Sequence, residues 1–308
     1  MSLRASVVVC TYSERRWHDL VAAVHSLRTQ RVEPAEIVVV VDNNAALAER
    51  VRRELPDVVA VSHGGRRGLS AARNAGVAAS FGDVIAFLDD DAVADEEWLA
   101  SLLRCYDDPR VGAAGGSVDA AWDGGRPGWF PQEFDWVVGC SYRGLPTSAA
   151  TIRNLIGANM SFRRGVFATV GGFSVDVGRV GDRPVGCEET ELCIRLRQRC
   201  PETLLVYEPR ARVAHRVPEA RARVGYFARR CFSEGLSKAA VVALRGGAGL
   251  QSERMYVRRV LPAGVAAAAR DAVASRRASS LGRGGAIVFG LAATSAGYAF
   301  GRIRSGTS

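Results

Sequence analysis

The chain has 308 residues, 48% hydrophobic and 24% charged, which supplies apolar material for a sizeable core and excludes a disordered or fibrous polymer. Of its 41 basic residues only Lys238 is lysine, and a net charge of +9 with a pI near 9.6 suits anionic partners: a nucleotide diphosphate, a polyanionic acceptor or an acidic membrane surface. Nucleic acid fits the charge as well, but there is no zinc-finger spacing and no aromatic-rich basic motif, so no nucleic-acid partner is expected.

Ala5-Ser6-Val7-Val8-Val9-Cys10 predicts a first buried strand, followed by a polar turn from Thr11 to Arg15. A helix follows from Trp17 to Thr29, with Leu20, Val21, Val24 and Leu27 on one face. Glu36 to Val41 predicts a second strand, ending in Asp42-Asn43-Asn44. Ala45 to Glu54 has a helical pattern, and Val58 to Val61 predicts a third strand. A glycine-rich loop from Gly64 then runs into a helix that reaches Gly76. The apolar run Val84-Ile85-Ala86-Phe87-Leu88 predicts another buried strand, closed by Asp89-Asp90-Asp91, and a helix is expected over Asp95 to Arg104. Strands alternating with helices at this spacing predict βαβ units, an α/β fold with a mostly parallel sheet. Three carboxylates then stand at the carboxyl end of a central strand, where open α/β sheets place ligands. Mg²⁺ typically uses one or two carboxylates plus substrate phosphates, so the triplet is a candidate for such an ion. An acidic turn capping the next helix would produce the same triplet, so the metal reading draws its weight from the rest of the chain.

From about Gly112 the pattern changes. Gly112 to Arg126 is glycine-rich, and Trp122, Trp129, Phe130, Phe134 and Trp136 cluster closely, as a packed corner or as a wall for a sugar or lipid. Asn159 to Phe162 predicts a strand, Val166-Phe167 a turn of helix, and Gly171-Gly172-Phe173 a break. A loop over 178–186 leads to a helical stretch from Cys187 to Arg197 that contains Glu188 and Glu189. Leu204 to Tyr207 predicts the last strand, with His215 after it. Residues 221–245 read as a basic helix, a membrane-surface element or a plain packing helix. Gly284 to Phe300 carries no charge and is at the short end of what spans a bilayer; it is expected to associate with a membrane or re-enter it. The seven cysteines (10, 105, 140, 187, 193, 200 and 231) form no Cys-x-x-Cys pair, which predicts reduced thiols in a cytosolic setting. The first strand begins at once, so no signal peptide is expected.

Taken in order, these motifs make the chain similar to family-2 glycosyltransferases of the GT-A fold over about residues 5–220. Cys10-Thr11-Tyr12-Ser13-Glu14-Arg15 resembles the family's opening turn at the nucleotide pocket, which implies donor contacts for Thr11, Tyr12 and Glu14. Asp42 stands where the family contacts the donor's base. Gly68 with Ala72-Arg73-Asn74-Ala75-Gly76 resembles the family's Gly-x-x-x-Ala-Arg-Asn-x-Gly stretch, which puts Gly68, Arg73 and Asn74 on the nucleotide side. Leu88-Asp89-Asp90-Asp91 resembles the Asp-x-Asp motif, with Asp91 and Asp89 on a Mn²⁺ or Mg²⁺ ion and Asp90 beside the nucleotide sugar. Gly157-Ala158-Asn159-Met160 and Gly171-Gly172-Phe173 look like the acceptor-side strand and its turn, and Trp136 also falls on the acceptor side. Glu188-Glu189 falls where the family has Glu-Asp, whose Asp is the base; Glu189 occupies that position and Glu188 is its neighbour. His215 matches a His that approaches metal or phosphates. The resemblance implies a nucleotide-binding half over 1–111, an acceptor half over 112–220 and a helical, membrane-associating extension over 221–308. Segments around Trp136, Cys187 and Cys231 look like a subgroup acting on polyprenyl- or dolichyl-phosphate-linked sugars, glucuronosyltransferases among them.

Such chemistry breaks the C1–O bond to a diphosphate while an acceptor oxygen attacks, through an oxocarbenium-like transition state. A divalent ion offsets charge on the leaving phosphate, and a carboxylate removes the acceptor's proton. One base opposite the leaving group implies inversion at C1. Arg73 offers planar bidentate bonds to phosphate. Each residue also has a local alternative: Asp42 as a helix cap, Arg73 as a surface ion pair, Glu188 and Glu189 as first-turn helix charges, His215 as a packed side chain. The expected enzyme moves a sugar from a nucleotide sugar, a UDP-sugar by preference, to a lipid-linked or polysaccharide hydroxyl at the cytoplasmic face of a membrane. Two other functions stay open: a nucleotidyltransferase, whose glycine-rich first loop Cys10 to Arg15 lacks, and a basic membrane or nucleic-acid binding module, which leaves the ordered acids unexplained.

Overall fold

The computed structural model describes residues 3–176, 186–245, 254–275 and 278–305, which fall into two compact units. The first unit comprises Met1–Asp119, Pro146–Arg183 and Glu188–His215; the second comprises Ala120–Leu145, Pro184–Cys187 and Arg216–Ser308. Residues 120–145, assigned from sequence to the acceptor half, therefore group with the C-terminal helices.

In the first unit the valine-rich segments become four parallel strands: β1 (Ala5–Thr11), β2 (Glu36–Asp42), β3 (Val59–His63) and β4 (Val84–Asp89). The central three are buried on both faces, which suits unbroken β-branched runs better than alternation. Helices α1 (Trp17–Arg28), α2 (Ala45–Glu54) and α3 (Leu69–Ala79) connect them. The mostly parallel arrangement holds up to β4. The strands that follow, β5 (Ala92–Ala94), β6 (Val111–Trp122), β7 (Ala150–Thr151), β8 (Asn159–Arg163) and β9 (Leu204–Val217), complete a mixed sheet. Its order is β3-β2-β1-β4-β8-β6-β9-β5, with β7 on β9, and β8 runs antiparallel to both β4 and β6. Helices α4 (Trp98–Cys105), α5 (Arg164–Val170) and α6 (Glu188–Arg199) complete the unit. The core gathers Val8, Ile85, Met160, Leu192 and Leu196 around Phe87, whose ring meets those of Phe162, Phe167 and Phe173 edge-on at 6.3, 6.3 and 5.3 Å.

Three sequence expectations shift. The glycine-rich stretch after Gly112 is the long strand β6. A Cβ on Gly116 would stand 1.8 Å from the Ala211 carbonyl oxygen, so this glycine permits close strand approach. The last strand continues past Tyr207 to Val217 and holds His215 within it; Ala211, Val213, His215 and Val217 face inward, while Arg212, Ala214 and Arg216 face out. The helix expected from Asp95 begins at Trp98, because Asp95 to Glu97 form the turn ahead of it, where Gln30 accepts from the Leu99 N–H and donates to the Asp95 carbonyl. Residues 178–185 of the loop expected over 178–186 lie outside the described residues.

The second unit is built on α7 (Val224–Arg245) and the helices Leu261–Ser275 and Ala278–Ser305. Phe227 is its hub: Trp129, Phe130 and Phe134 surround it at 5.5, 5.3 and 5.4 Å between ring centres, and of the aromatic cluster Phe130 and Phe134 are core while the three tryptophans are half-buried. Trp136 donates from Nε1 to the Tyr256 hydroxyl at 3.1 Å. Gly297 of the uncharged stretch and Gly235 of α7 let these two helices approach closely. A Cβ on Gly297 would lie 2.0 Å from the Phe232 carbonyl oxygen, and one on Gly235 would lie 2.1 Å from that of Thr294. Ser279–Arg304 is long and apolar enough to cross a membrane by length and composition, and 17% of it is buried.

Candidate active site

Parallel pairing of β1 with β4 sets Cys10 beside Asp89, so the turns after the two strands become neighbours at one edge of the sheet. Antiparallel pairing of β5 with β9 sets Ala92 opposite His215, one residue beyond Asp91. Asp89, Asp91 and His215 consequently converge, each offering a ligand atom within 4.8 Å of the others, with His215 Nε2 3.1 Å from Asp91 Oδ1. Two ligands on one Mg²⁺-sized ion stand at most about 4.2 Å apart, so shifts of a few tenths of an ångström would let all three bind one ion. Two carboxylates with one imidazole suit Mn²⁺ or Mg²⁺, the imidazole favouring the softer Mn²⁺. The residues present fit the metal that the sequence implied.

Two arginines interleave with these acids. Arg16 Nη1 donates to Asp90 Oδ1 at 2.6 Å and lies 3.2 Å from Asp91 Oδ2. Burial, partly offset by Arg16, pushes the Asp90 carboxyl up to about 6. Asp90 Oδ2 and the Thr11 hydroxyl are both buried, with no hydrogen-bond partner among the described residues. Arg73, 2% exposed, donates to Glu188 Oε1 at 2.8 Å, to the Gly157 carbonyl at 3.0 Å and to Asp89 Oδ1 at 3.4 Å. Burial alone would lower the Arg73 pKa, but Glu188 and Asp89 outweigh it and hold it above its ordinary value.

The Gly68–Gly76 stretch now has a physical account. Gly68 opens α3 at φ +131, and its N–H donates to Asp42 Oδ2 at 3.0 Å. The other Asp42 oxygen accepts from the Asn43 side chain at 2.7 Å, so Asp42 ties the end of β2 to this loop. Gly76 lies against β1, where a Cβ would stand 2.4 Å from Val8 Cγ1. Asn74 clamps Phe173, donating to its carbonyl at 2.9 Å and accepting from its N–H at 2.7 Å. Gly172 sits against that amide, its Cβ position 2.4 Å from Asn74 Oδ1, and Gly171 takes a φ of +83.

Of the remaining candidates, Tyr12 and Glu14 are exposed after β1, with the Arg16 guanidinium 5.8 Å from the Tyr12 ring centre. Glu188 is buried, one oxygen on Arg73 and the other with no hydrogen-bond partner among the described residues, whereas Glu189 is half-buried beside it at the start of α6. Asn159 is wholly buried: it accepts from Trp98 Nε1 at 2.8 Å and donates to the Ser117 and Ala211 carbonyls at 2.9 and 2.8 Å. Its amide thus ties α4, β6 and β9 together. Trp136 belongs to the second unit.

Sequence reasoning missed Arg16 and the buried Glu191–Arg195 pair. Arg195 grips both Glu191 oxygens at 3.0 and 2.8 Å and donates to the Gly172 carbonyl at 2.7 Å, bracing α6 on the Gly171-Gly172 turn. The spacing of Glu191 and Arg195, four apart on a helix, was the available signal for that pair. For Arg16 the signal was adjacency of β1 and β4, which makes neighbours of the turns that follow them.

Comparison with known proteins agrees with this geometry. Residues 6–171 match glycosyl transferase family 2. The chain is 39% identical over 240 residues to the glucosyl-dolichyl phosphate glucuronosyltransferase of Haloferax volcanii, covering 77% of this chain and 76% of that one. It is 30% identical over 251 residues to the succinoglycan biosynthesis protein ExoM of Rhizobium meliloti, covering 79% and 76%. Among solved structures, the mannosyltransferase PcManGT from Pyrobaculum calidifontis in complex with GDP-Man and Mn²⁺ superposes with a TM-score of 0.63 at 19% identity, covering 97% of this chain and 88% of that one, a likeness of GT-A fold. A matching stretch of more than half the chain, with the Asp89, Asp91 and His215 cluster at the end of β4, places the protein in glycosyl transferase family 2.

Proposed function

We propose that the protein is a metal-dependent inverting transferase that moves a sugar from a UDP-sugar to a hydroxyl of a lipid-linked saccharide. The observation that carries this reading is the acid cluster itself: Asp89 is bridged by Arg73 to Glu188, the residue before Glu189. A divalent ion held by Asp89, Asp91 and His215 would neutralise charge on the donor's diphosphate. Thr11, Asp42 and Gly68 border the uridine side, and Arg16 with Arg73 holds the neighbouring carboxylates in place. Glu189 takes the proton of the acceptor hydroxyl, whose oxygen then bonds to C1 as the C1–O bond to UDP breaks. Glu188, committed to Arg73, is less suited to that task. The name of the Haloferax relative supports a lipid-phosphate-linked acceptor, and the Rhizobium relative a polysaccharide variant of the same reaction. The apolar Ser279–Arg304 helix, whose last turn carries the basic Arg302 and Arg304, supports association with the cytoplasmic face of an anionic membrane.

Calorimetric titration of UDP with and without Mn²⁺, on wild type and Asp91→Ala, tests the reading. Binding that requires Mn²⁺ and vanishes in the variant is expected. Metal-independent UDP binding, or equal binding by the variant, refutes the assignment of Asp91 to the metal.

A further inference from the structure

The second unit holds a cavity of about 290 Å³ whose lining includes Arg126, Phe130, Gln132, Glu133, Arg143 and Arg283. Three guanidinium groups face one carboxylate there. The carboxylates that orient two of them are buried: Asp135, 7% exposed, accepts from Arg126 Nη2, and Glu133, 2% exposed, accepts from Arg143 Nη1 at 3.2 Å. Arg143 also donates to Gln132, and Arg283 to Asp271. These bonds occupy one N–H of Arg126, two of Arg143 and one of Arg283 among the described residues, out of the five that each guanidinium carries. The arginines are thus held in place with most of their donors still available.

We infer that this cavity is a phosphate-binding pocket, and that the phosphate it takes is carried by a lipid. A planar carboxylate offers two oxygens and satisfies one guanidinium fork, whereas a phosphate ester presents tetrahedrally disposed oxygens that several forks reach from different directions. The lipid follows from the surroundings. Leu281, two residues before Arg283 on the same helix, is 66% exposed, and Val288 and Phe289 farther along are 59% and 48% exposed. At 3.6 residues per turn these three lie on the side of the helix away from Arg283, so the arginine stands on a helix whose opposite face is apolar and exposed, a surface that a bilayer beside the pocket would cover. The phosphate comes either from the lipid-linked acceptor or from a bilayer headgroup. The first source deepens the acceptor reading above and rests on it; the pocket itself does not.

The test is cosedimentation of the full chain with phosphatidylcholine vesicles, alone or carrying polyprenyl monophosphate, phosphatidic acid, or a fatty acid at matched surface charge. Arg143→Gln/Arg283→Gln is compared with Arg258→Gln/Arg259→Gln, which removes two exposed arginines of the same unit outside the cavity lining. Wild type should favour the phosphate-bearing vesicles over fatty-acid vesicles, and the pocket variant should lose at least about tenfold in that binding while the control loses less than about twofold. A preference for polyprenyl phosphate assigns the pocket to the acceptor, and equal binding of phosphatidic acid assigns it to headgroups. Equal loss in both variants, equal binding to fatty-acid vesicles, or no binding of wild type to either phosphate lipid overturns the proposal. The single variant Arg283→Gln, whose partner Asp271 is 56% exposed, repeats the test with little risk to folding. Mn²⁺-dependent UDP binding is measured on every preparation. The pocket variants should retain it, and its absence from wild type with pocket binding intact would refute the transferase reading and leave the pocket standing.

Discussion

Replacing Arg73 with methionine isolates the interaction on which the candidate site depends. The guanidinium is 2% exposed and holds Glu188 at 2.8 Å, the Gly157 carbonyl at 3.0 Å and Asp89 at 3.4 Å. Its loss would strand the Glu188 carboxylate, 4% exposed, whose second oxygen already has no hydrogen-bond partner among the described residues. Leaving one member of a buried ion pair alone costs about 3–5 kcal/mol. The bond lost by the Gly157 carbonyl adds only about 1 kcal/mol, so the stranded charge dominates. Removing both charges in Arg73→Met/Glu188→Leu should recover much of the loss, because apolar replacement of a whole buried pair is often neutral. The assay is denaturant unfolding of wild type, the two single variants and the double variant, with Mn²⁺-dependent UDP binding measured on each. A coupling energy of about 2 kcal/mol or more between the two sites is expected, with weakened metal-dependent binding even in the double variant, since Asp89 has lost its brace. A single-variant cost below about 1 kcal/mol, or effects that add within about 0.5 kcal/mol, would refute the reasoning.

Glu189→Gln should lower kcat by about 10²–10⁴ while leaving UDP affinity unchanged, measured by product formation alongside calorimetry; an unchanged kcat would remove Glu189 from the role of base. Gly76→Ala places a methyl 2.4 Å from Val8 Cγ1, so α3 must move off β1, at a cost of about 1–3 kcal/mol in urea unfolding; a neutral result would mean that the helix shifts freely. Cys193 and Cys231 are fully buried, and desolvation pushes both thiols up to about 12. Neither should react with a thiol reagent at neutral pH until the protein is unfolded, as mapped by mass spectrometry, and rapid native labelling of either would contradict their burial.

The sequence by itself determined the parallel half of the sheet and the positions of its acids. The three central strands were legible because strands buried on both faces are unbroken apolar runs, and Asp42 and Asp89–Asp91 stood where two of those runs ended. The small residues of the Ala72 to Gly76 stretch were legible too, although their reason, contact of α3 with Val8, was not. Strands β6 and the second half of β9 were harder to see, since glycines that admit a neighbouring backbone look the same in sequence as glycines that end a strand. The alternation from Ala211 to Val217 was present in the sequence, masked by its outward arginines.

Only the tertiary structure decided which charges meet. Arg73 and Glu188 lie 115 positions apart, and Arg16 and Asp90 lie 74 apart. Such partners are chosen by sheet order and strand register, and a window of sequence holds neither. A shift of one residue between β5 and β9 would turn His215 to the opposite face of the sheet, away from Asp91. Local patterning places each acid at a strand end; the folded sheet alone brings His215, Arg16 and Arg73 to them.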